Sequence, residues 1–166
     1  MASQRDLDRA YLRMCVEWAR LSSARRRKVG CLIVKSGQII SDGYNGTPKG
    51  FDNNCEDEIN GELFTKDIVL HAESNAITKL AKSSNSADGA TLYVTCSPCF
   101  ECSKLIIQSG IKRVVHSHFY RNTKGLELLE QANIQWDYYN ISLELPADHS
   151  ESILHTSSRL QEDKQQ

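Results

Sequence analysis

Two short segments of the sequence combine side chains that bind metal ions with side chains that move protons. The segment "LHAESNAI" carries His71 and Glu73, and the segment "SPCFECSKL" carries Cys99 and Cys102. Both segments stand where a helix is predicted to begin. Two cysteines on the first turn of a helix can direct their sulfurs to one ion, and the positive end of the helix dipole stabilises the thiolates that metals bind.

Three of these side chains match the ligand set of a catalytic zinc site. His71, Cys99 and Cys102 supply three donors, which leaves the fourth tetrahedral position for water. Glu73 then stands beside that water as a general acid and base. Taken alone, His-x-Glu is also ordinary helix punctuation, and Cys-x-x-Cys is also a redox or structural motif. The ordered combination of His-x-Glu with Pro-Cys-x-x-Cys is the signature of zinc-dependent nucleobase deaminases.

The hydrophobic pattern predicts an α/β fold that positions these segments. Helices are predicted over 6–21, 71–82, 97–109 and 125–132, and strands over 29–35, 38–44, 90–96, 111–117 and 133–139. Ser97 is the expected N-cap of the third helix, with Pro98 at its first position, and Gly110 is expected to end it. We expect the first two strands to form an antiparallel hairpin and the last three, joined through helices, to be parallel. Residues 45–61 are rich in turn formers and are predicted to form a long loop.

Length and composition limit the class of protein. The chain has 166 residues, 40% of them hydrophobic and 25% charged, with a net charge of −1. These values indicate one globular domain, expected over 1–140, followed by a polar tail over 141–166 in which 152–160 is either a short helix or disordered. No apolar run reaches membrane-spanning length, and no signal peptide is visible, so a cytoplasmic location is expected, in a cell or an infected host. A near-neutral chain is not expected to bind nucleic acid or membranes.

At the level of motifs, the chain resembles the deoxycytidylate (dCMP) deaminases, particularly those of bacteriophages and cyanophages. The resemblance rests on "KVGCLIVK", "GYNGTPKGFDN", "LHAESNAI", "GATLYVTCSPCFECSKLIIQSGIKRV" and "HFYR", and extends over about residues 7–139. It implies a three-layer α-β-α fold with a mixed five-stranded sheet. It also implies zinc-dependent hydrolysis of dCMP to dUMP and ammonia, which supplies dUMP for thymidylate synthesis. In that reaction a zinc-activated water attacks C4 while Glu73 carries the protons.

The same resemblance implies a set of substrate contacts. Asn45 would hold the deoxyribose hydroxyl, Val29 and His71 would bracket the base, and the basic run before the first strand would bind the 5′-phosphate. From the residues alone, a core position is favoured for Val29, while Asn45 is equally a turn residue and the basic run equally a solvated loop. Arg25 and Arg27 are expected to face solvent or an interface. The expected substrate-binding residues are Arg26, Lys28, Val29, Asn45, Ala72, Ser97 and Tyr120.

Regulation and assembly are also implied by the resemblance. Family members are commonly hexameric, and many are activated by dCTP with Mg²⁺ and inhibited by dTTP. The corresponding residues here are Tyr44, Gly46, Asp52, Lys79 and Lys82. Lys79 replaces a family aromatic residue, and Lys82 replaces an arginine, which keeps the charge but loses the planar guanidinium.

The remaining cysteines are not expected to bind the catalytic metal. Cys15 and Cys31 fall on apolar patterns and are expected in the core, and Cys96 is not expected to close the open fourth position. Cys55 is interpreted as a loop thiol, although some phage relatives hold a second, structural zinc in this region.

Two alternative functions stay open. A deaminase acting on tRNA adenosine shares the zinc motif, but the near-neutral charge argues against it. A zinc-stabilised nucleotide-binding module without turnover would not need Glu73.

Overall fold

The structure is a computed structural model that describes residues 1–145. The segment 152–160 lies outside the described residues. The main feature of the fold is a five-stranded mixed sheet in the order β2-β1-β5-β6-β7. In this sheet β1 pairs antiparallel with β2 and β5, and β5, β6 and β7 are parallel. This arrangement confirms the predicted fold class. The strands are β1 (Gly30–Lys35), β2 (Gln38–Tyr44), β3 (Glu56–Ile59), β4 (Glu62–Thr65), β5 (Thr91–Val94), β6 (Arg113–His116) and β7 (Gln135–Tyr138).

Helices cover both faces of the sheet. They are α1 (Gln4–Arg20), α2 (Ala72–Leu80), α3 (Phe100–Gln108) and α4 (Lys124–Gln131), followed by a short 3₁₀ helix (Ser142–Glu144). Alternate residues of a strand point to opposite faces. Cys31 and Ile33 of β1 therefore pack in the core under α2, α3 and α4, whereas Leu32 and Val34 pack under α1. Within the described residues, no helix combines the length and apolar character needed to span a membrane.

The prediction of a loop throughout 45–61 is wrong at its end. Residues 56–65 form a separate two-stranded antiparallel sheet, β3–β4. Its turn is Asn60-Gly61, and both residues have positive φ values, 53° and 81°. Asn-Gly is the preferred pair for the two-residue hairpin turn that needs positive φ at both positions, so the sequence did carry the signal for this hairpin.

The start of α3 also differs from the prediction. Its N-cap is Cys99, not Ser97, and the helix begins at Phe100. The Ser97 hydroxyl instead accepts a hydrogen bond from the Tyr120 amide at 2.7 Å. Gly110 does follow the helix, with φ of 80°, as predicted.

Candidate active site

The structure brings His71, Cys99 and Cys102 together. The Nδ1 atom of His71 lies 3.5 Å from Cys99 Sγ and 3.4 Å from Cys102 Sγ, and the three ligand atoms all lie within 4.8 Å of one another. A tetrahedral zinc ion with bonds of about 2.0–2.1 Å to nitrogen and about 2.3 Å to sulfur separates such donors by about 3.6 Å. The donor types and their spacing therefore fit one zinc ion.

Helix starts explain how these donors meet. His71 is the N-cap of α2 and Cys99 is the N-cap of α3, and neither side chain makes a capping hydrogen bond to its helix. An N-cap side chain usually accepts a hydrogen bond from the first turn. Because these two do not, they are free to point at a shared ion between the two helix ends.

The charges within the cluster suit a cation. A hydrogen bond from the Cys102 thiol, together with the nearby His71, lowers the pKa of Cys99 to about 4. The hydrogen bond to Cys99 raises the pKa of His71. The low pKa favours the thiolate form of Cys99, the form in which cysteine binds metals, whereas the same hydrogen bond raises the pKa of its partner Cys102.

Glu73 is a buried carboxyl group in the first turn of α2. Its relative exposure is 4%. Burial raises its pKa, and this effect outweighs the opposite influence of His71. A carboxyl group with a raised pKa exchanges protons more readily near neutral pH than a solvated one, and Glu73 also contacts the side chain of Cys102.

Two glycines permit the close packing that sets these helix ends. A Cβ atom on Gly43 of β2 would lie 2.2 Å from the carbonyl oxygen of Ala72. A Cβ atom on Gly125 of α4 would lie 2.1 Å from the carbonyl oxygen of Pro98, just before Cys99. Backbone therefore contacts backbone at both ends of the metal cluster.

An open cavity of about 890 Å³ extends from the cluster to the basic run. All of the predicted substrate-binding residues line it except Lys28. Arg27, which was expected to face solvent or an interface, also lines the cavity. Four consecutive cations carry no local signal that separates those two positions. The members of the predicted set that line the cavity are Arg26, Val29, Asn45, Ala72, Ser97 and Tyr120.

Asn45 ties the basic run to the end of β2. Its Oδ1 accepts from the Val29 amide at 2.8 Å, and its Nδ2 donates to the Arg27 carbonyl at 2.8 Å. Val29 itself is half-buried and packs against the core beneath α2. Both residues thus have a structural role while still lining the cavity.

The residues expected in a regulatory site lie elsewhere. None of Tyr44, Gly46, Asp52, Lys79 and Lys82 lines the cavity. Lys79 of α2 binds Asp42 of β2, with Nζ 2.5 Å from Oδ1. Gly46 forms a backbone bridge to Leu70.

The other cysteines are buried. Cys15 and Cys31 lie in the two core clusters, as predicted. Cys55 is only 1% exposed, and Cys96 is 5% exposed. Neither belongs to the group of metal-binding side chains found in the described residues.

This fold and this site define the class of zinc-dependent deaminases. Residues 5–118 match the family model described as the cytidine and deoxycytidylate deaminase zinc-binding region, so the chain belongs to that family. The resemblance drawn from the motifs is thereby confirmed.

Individual relatives narrow the comparison. The chain is 37% identical to the deoxycytidylate deaminase of Mycobacterium phage D29, over 69% of this chain and 96% of the relative. It is 35% identical to that of Saccharomyces cerevisiae over 76% of this chain, but the match spans only 43% of the yeast protein. The crystal structure of the dCMP deaminase from cyanophage S-TIM5 with dCMP and dUMP superimposes with a TM-score of 0.78 and 42% identity, covering 83% of this chain and all of the other.

Proposed function

We propose that the chain hydrolyses dCMP to dUMP and ammonia. The observation that carries this proposal is one cavity that is lined both by a buried carboxyl group beside a zinc-type ligand set and by arginines. The arginines suit the 5′-phosphate, and the ligand set and Glu73 suit chemistry at the base. The names of the similar phage and fungal proteins agree with this assignment.

Proton transfer is the role proposed for Glu73. The carboxylate takes a proton from the attacking water and delivers it to N3 of cytosine as the C4–O bond forms. It then passes the remaining hydroxyl proton to the amino group, the C4–N bond breaks, and ammonia leaves behind a uracil ring. Burial of Glu73, at 4% exposure, limits its contact with bulk solvent and so favours proton transfer to the bound base.

The metal ligands and the cavity wall share the remaining tasks. A zinc ion held by His71, Cys99 and Cys102 supplies Lewis acidity, which brings the pKa of a bound water down to about 7. Arg26, Arg27 and Tyr120 bind the phosphate. The side chains of Val29 and Asn45 line the space that the base and the sugar occupy.

A direct assay tests this function. Zinc-loaded protein is expected to decrease the ultraviolet absorbance of dCMP as dUMP forms, and CMP, dCTP and deoxycytidine assayed in parallel measure the sugar and phosphate requirements. Absence of turnover with dCMP, both without and with dCTP and Mg²⁺, contradicts the proposal. Binding of dCMP without turnover would indicate the non-catalytic nucleotide-binding module instead.

We further propose that a deaminase domain occupies residues 1–140, that the chain assembles into a homo-hexamer, and that dCTP with Mg²⁺ activates it while dTTP inhibits it. The five regulatory residues named above are the proposed nucleotide contacts. The Lys79–Asp42 ion pair bears on this regulation, because a nucleotide phosphate must compete with Asp42 for Lys79. Rates measured with and without each nucleotide, beside sedimentation of the same samples, test regulation and assembly.

A further inference from the structure

Glu56, at the start of β3, is a buried acidic residue without a part in the chemistry described above. It is 2% exposed and lines the cavity. Its Oε1 accepts hydrogen bonds from the amides of Arg25 and Arg26, at 2.9 and 3.1 Å. Its Oε2 has no hydrogen-bond partner among residues 1–145. A buried carboxylate that takes two backbone bonds from one turn holds that turn firmly.

The segment 25–29 is thus held at two points. Glu56 binds its first two amides, and Asn45 binds the Arg27 carbonyl and the Val29 amide at the other end. Arg26 and Arg27 lie between these two attachments, and both line the cavity.

The hairpin adds a third contact to this segment. The guanidinium of Arg26 donates to Thr65 Oγ1 of β4 at 3.2 Å. The guanidinium of Arg25 pairs with exposed Glu58 at 3.3 Å, and its Nε lies 3.9 Å from Glu56 Oε2, whereas Arg25 does not line the cavity. The β3–β4 hairpin therefore holds both the backbone and one side chain of the segment that faces the proposed phosphate position.

We infer that Glu56 is a positioning residue that prepares Arg26 and Arg27 to bind the substrate phosphate. It acts through the hydrogen bonds that it accepts from two backbone amides, and not through its charge. This inference rests on the proposed function. A preorganised anion site loses less freedom on binding than a mobile basic loop. Loss of Glu56 is therefore expected to lower the binding affinity only for ligands that carry the phosphate.

Two ligands and a small set of variants test the inference. Dissociation constants of dUMP and deoxyuridine are measured by calorimetry on the zinc-loaded protein. Glu56→Ala removes the acceptor and is expected to weaken dUMP by about tenfold or more, with deoxyuridine unchanged. Glu56→Gln keeps an acceptor oxygen and is expected to stay within about threefold of wild type. Glu62→Gln, an exposed glutamate on β4, is the matched control.

A shorter carboxylate separates reach from charge. Glu56→Asp keeps the charge, but its side chain is too short to accept hydrogen bonds from both amides, so its affinity is expected to fall for dUMP and not for deoxyuridine. This variant also replaces Glu56→Ala in the test if Glu56→Ala does not fold. Unfolding temperature and zinc content are recorded for every variant.

Three results obtained with the variants overturn the inference. One is equal weakening of dUMP and deoxyuridine, which indicates a purely structural role. Another is wild-type dUMP affinity in both Glu56→Ala and Glu56→Asp. The third is a loss of dUMP affinity in Glu56→Gln as large as that in Glu56→Ala. That result would make the charge of Glu56, and not its hydrogen bonds with the backbone amides, responsible for the effect on dUMP binding. If wild-type protein shows no preference for dUMP over deoxyuridine, the phosphate recognition in the proposed function fails together with the inference.

Discussion

Replacing Gly43 by alanine tests whether close packing of α2 on β2 sets the metal site. The added Cβ would lie 2.2 Å from the Ala72 carbonyl oxygen and 2.7 Å from the Ala76 amide nitrogen. Ordinary contact begins near 3.4 Å, so the start of α2 must move by about 1 Å. The obstructing atoms are backbone, and no side-chain rotation relieves them.

That movement acts directly on the zinc ligands. The His71 nitrogen is 3.4–3.5 Å from the two sulfurs. Metal–ligand distances in proteins hold within about 0.2 Å of their preferred values. Overpacking of this kind costs about 1–3 kcal/mol. If the strain falls on the metal site, zinc affinity decreases by about tenfold or more, since 1.4 kcal/mol is a factor of ten.

Competition with a chromophoric chelator measures the zinc affinity, and thermal unfolding measures the stability. Gly30→Ala is the matched control because its Cβ would lie 1.9 Å from the Cys15 carbonyl oxygen of α1, on the opposite face of the sheet. Both variants are expected to unfold about 2–12 °C below wild type, but only Gly43→Ala is expected to lose zinc affinity. Wild-type zinc affinity in Gly43→Ala, or an equal loss in Gly30→Ala, would refute the reasoning.

Three further predictions concern proton transfer, phosphate binding and stability. Glu73→Ala is expected to keep its zinc, measured by metal analysis, while kcat for dCMP falls by about 10²–10⁴-fold; a near-normal rate would remove Glu73 from the mechanism. Arg27→Ala is expected to raise the KM for dCMP more than Lys28→Ala does, because only Arg27 lines the cavity; the reverse order in steady-state assays would contradict this. Burial raises the pKa of Asp8, but hydrogen bonds, first from Arg113, outweigh it and hold the pKa below its usual value. The stabilisation from ionised Asp8 is therefore present above about pH 4 and lost as the pH falls through the lowered pKa. Measured by urea unfolding, the free energy of unfolding of Asp8→Asn is expected to lie below that of wild type, and the difference is expected to shrink from pH 6 toward pH 2. A difference that does not change with pH would contradict this role of ionised Asp8.

Much of the architecture was readable because local patterns and tertiary packing agree. The five strands of the main sheet and the four helices were all predicted near their observed positions. Each of them has either an apolar strand pattern or an apolar helix face. The β3–β4 hairpin was missed because its strands, "EDEI" and "ELFT", are polar and mostly exposed, so no hydrophobic alternation marks them. The Asn60-Gly61 pair was the only strong local signal there.

The substrate side of the cavity shows the limit of the same reasoning. Arg25, Arg26, Arg27 and Lys28 are adjacent and chemically alike, and their directions depend on partners far along the chain. Glu56 holds the first two amides, and Asn45 holds the last part of the run. The sequence alone led us to name Lys28 and not Arg27 as a phosphate contact, whereas Arg27 and not Lys28 lines the cavity in the structure. Which of the two binds substrate stays a prediction.

The sequence by itself indicated metal-dependent chemistry, because zinc ligation needs histidine or cysteine side chains. His71, Cys99 and Cys102 are of these types and stand at predicted helix starts. The sequence also determined the layers of the fold, because hydrophobic periodicity is a local property of each segment. Only the tertiary structure decided that the three donors come within 4.8 Å of one another, and which arginines face the cavity. Distances and directions of this kind depend on contacts between segments remote in sequence, such as Gly43 against Ala72 and Glu56 against Arg26, and no local pattern encodes them.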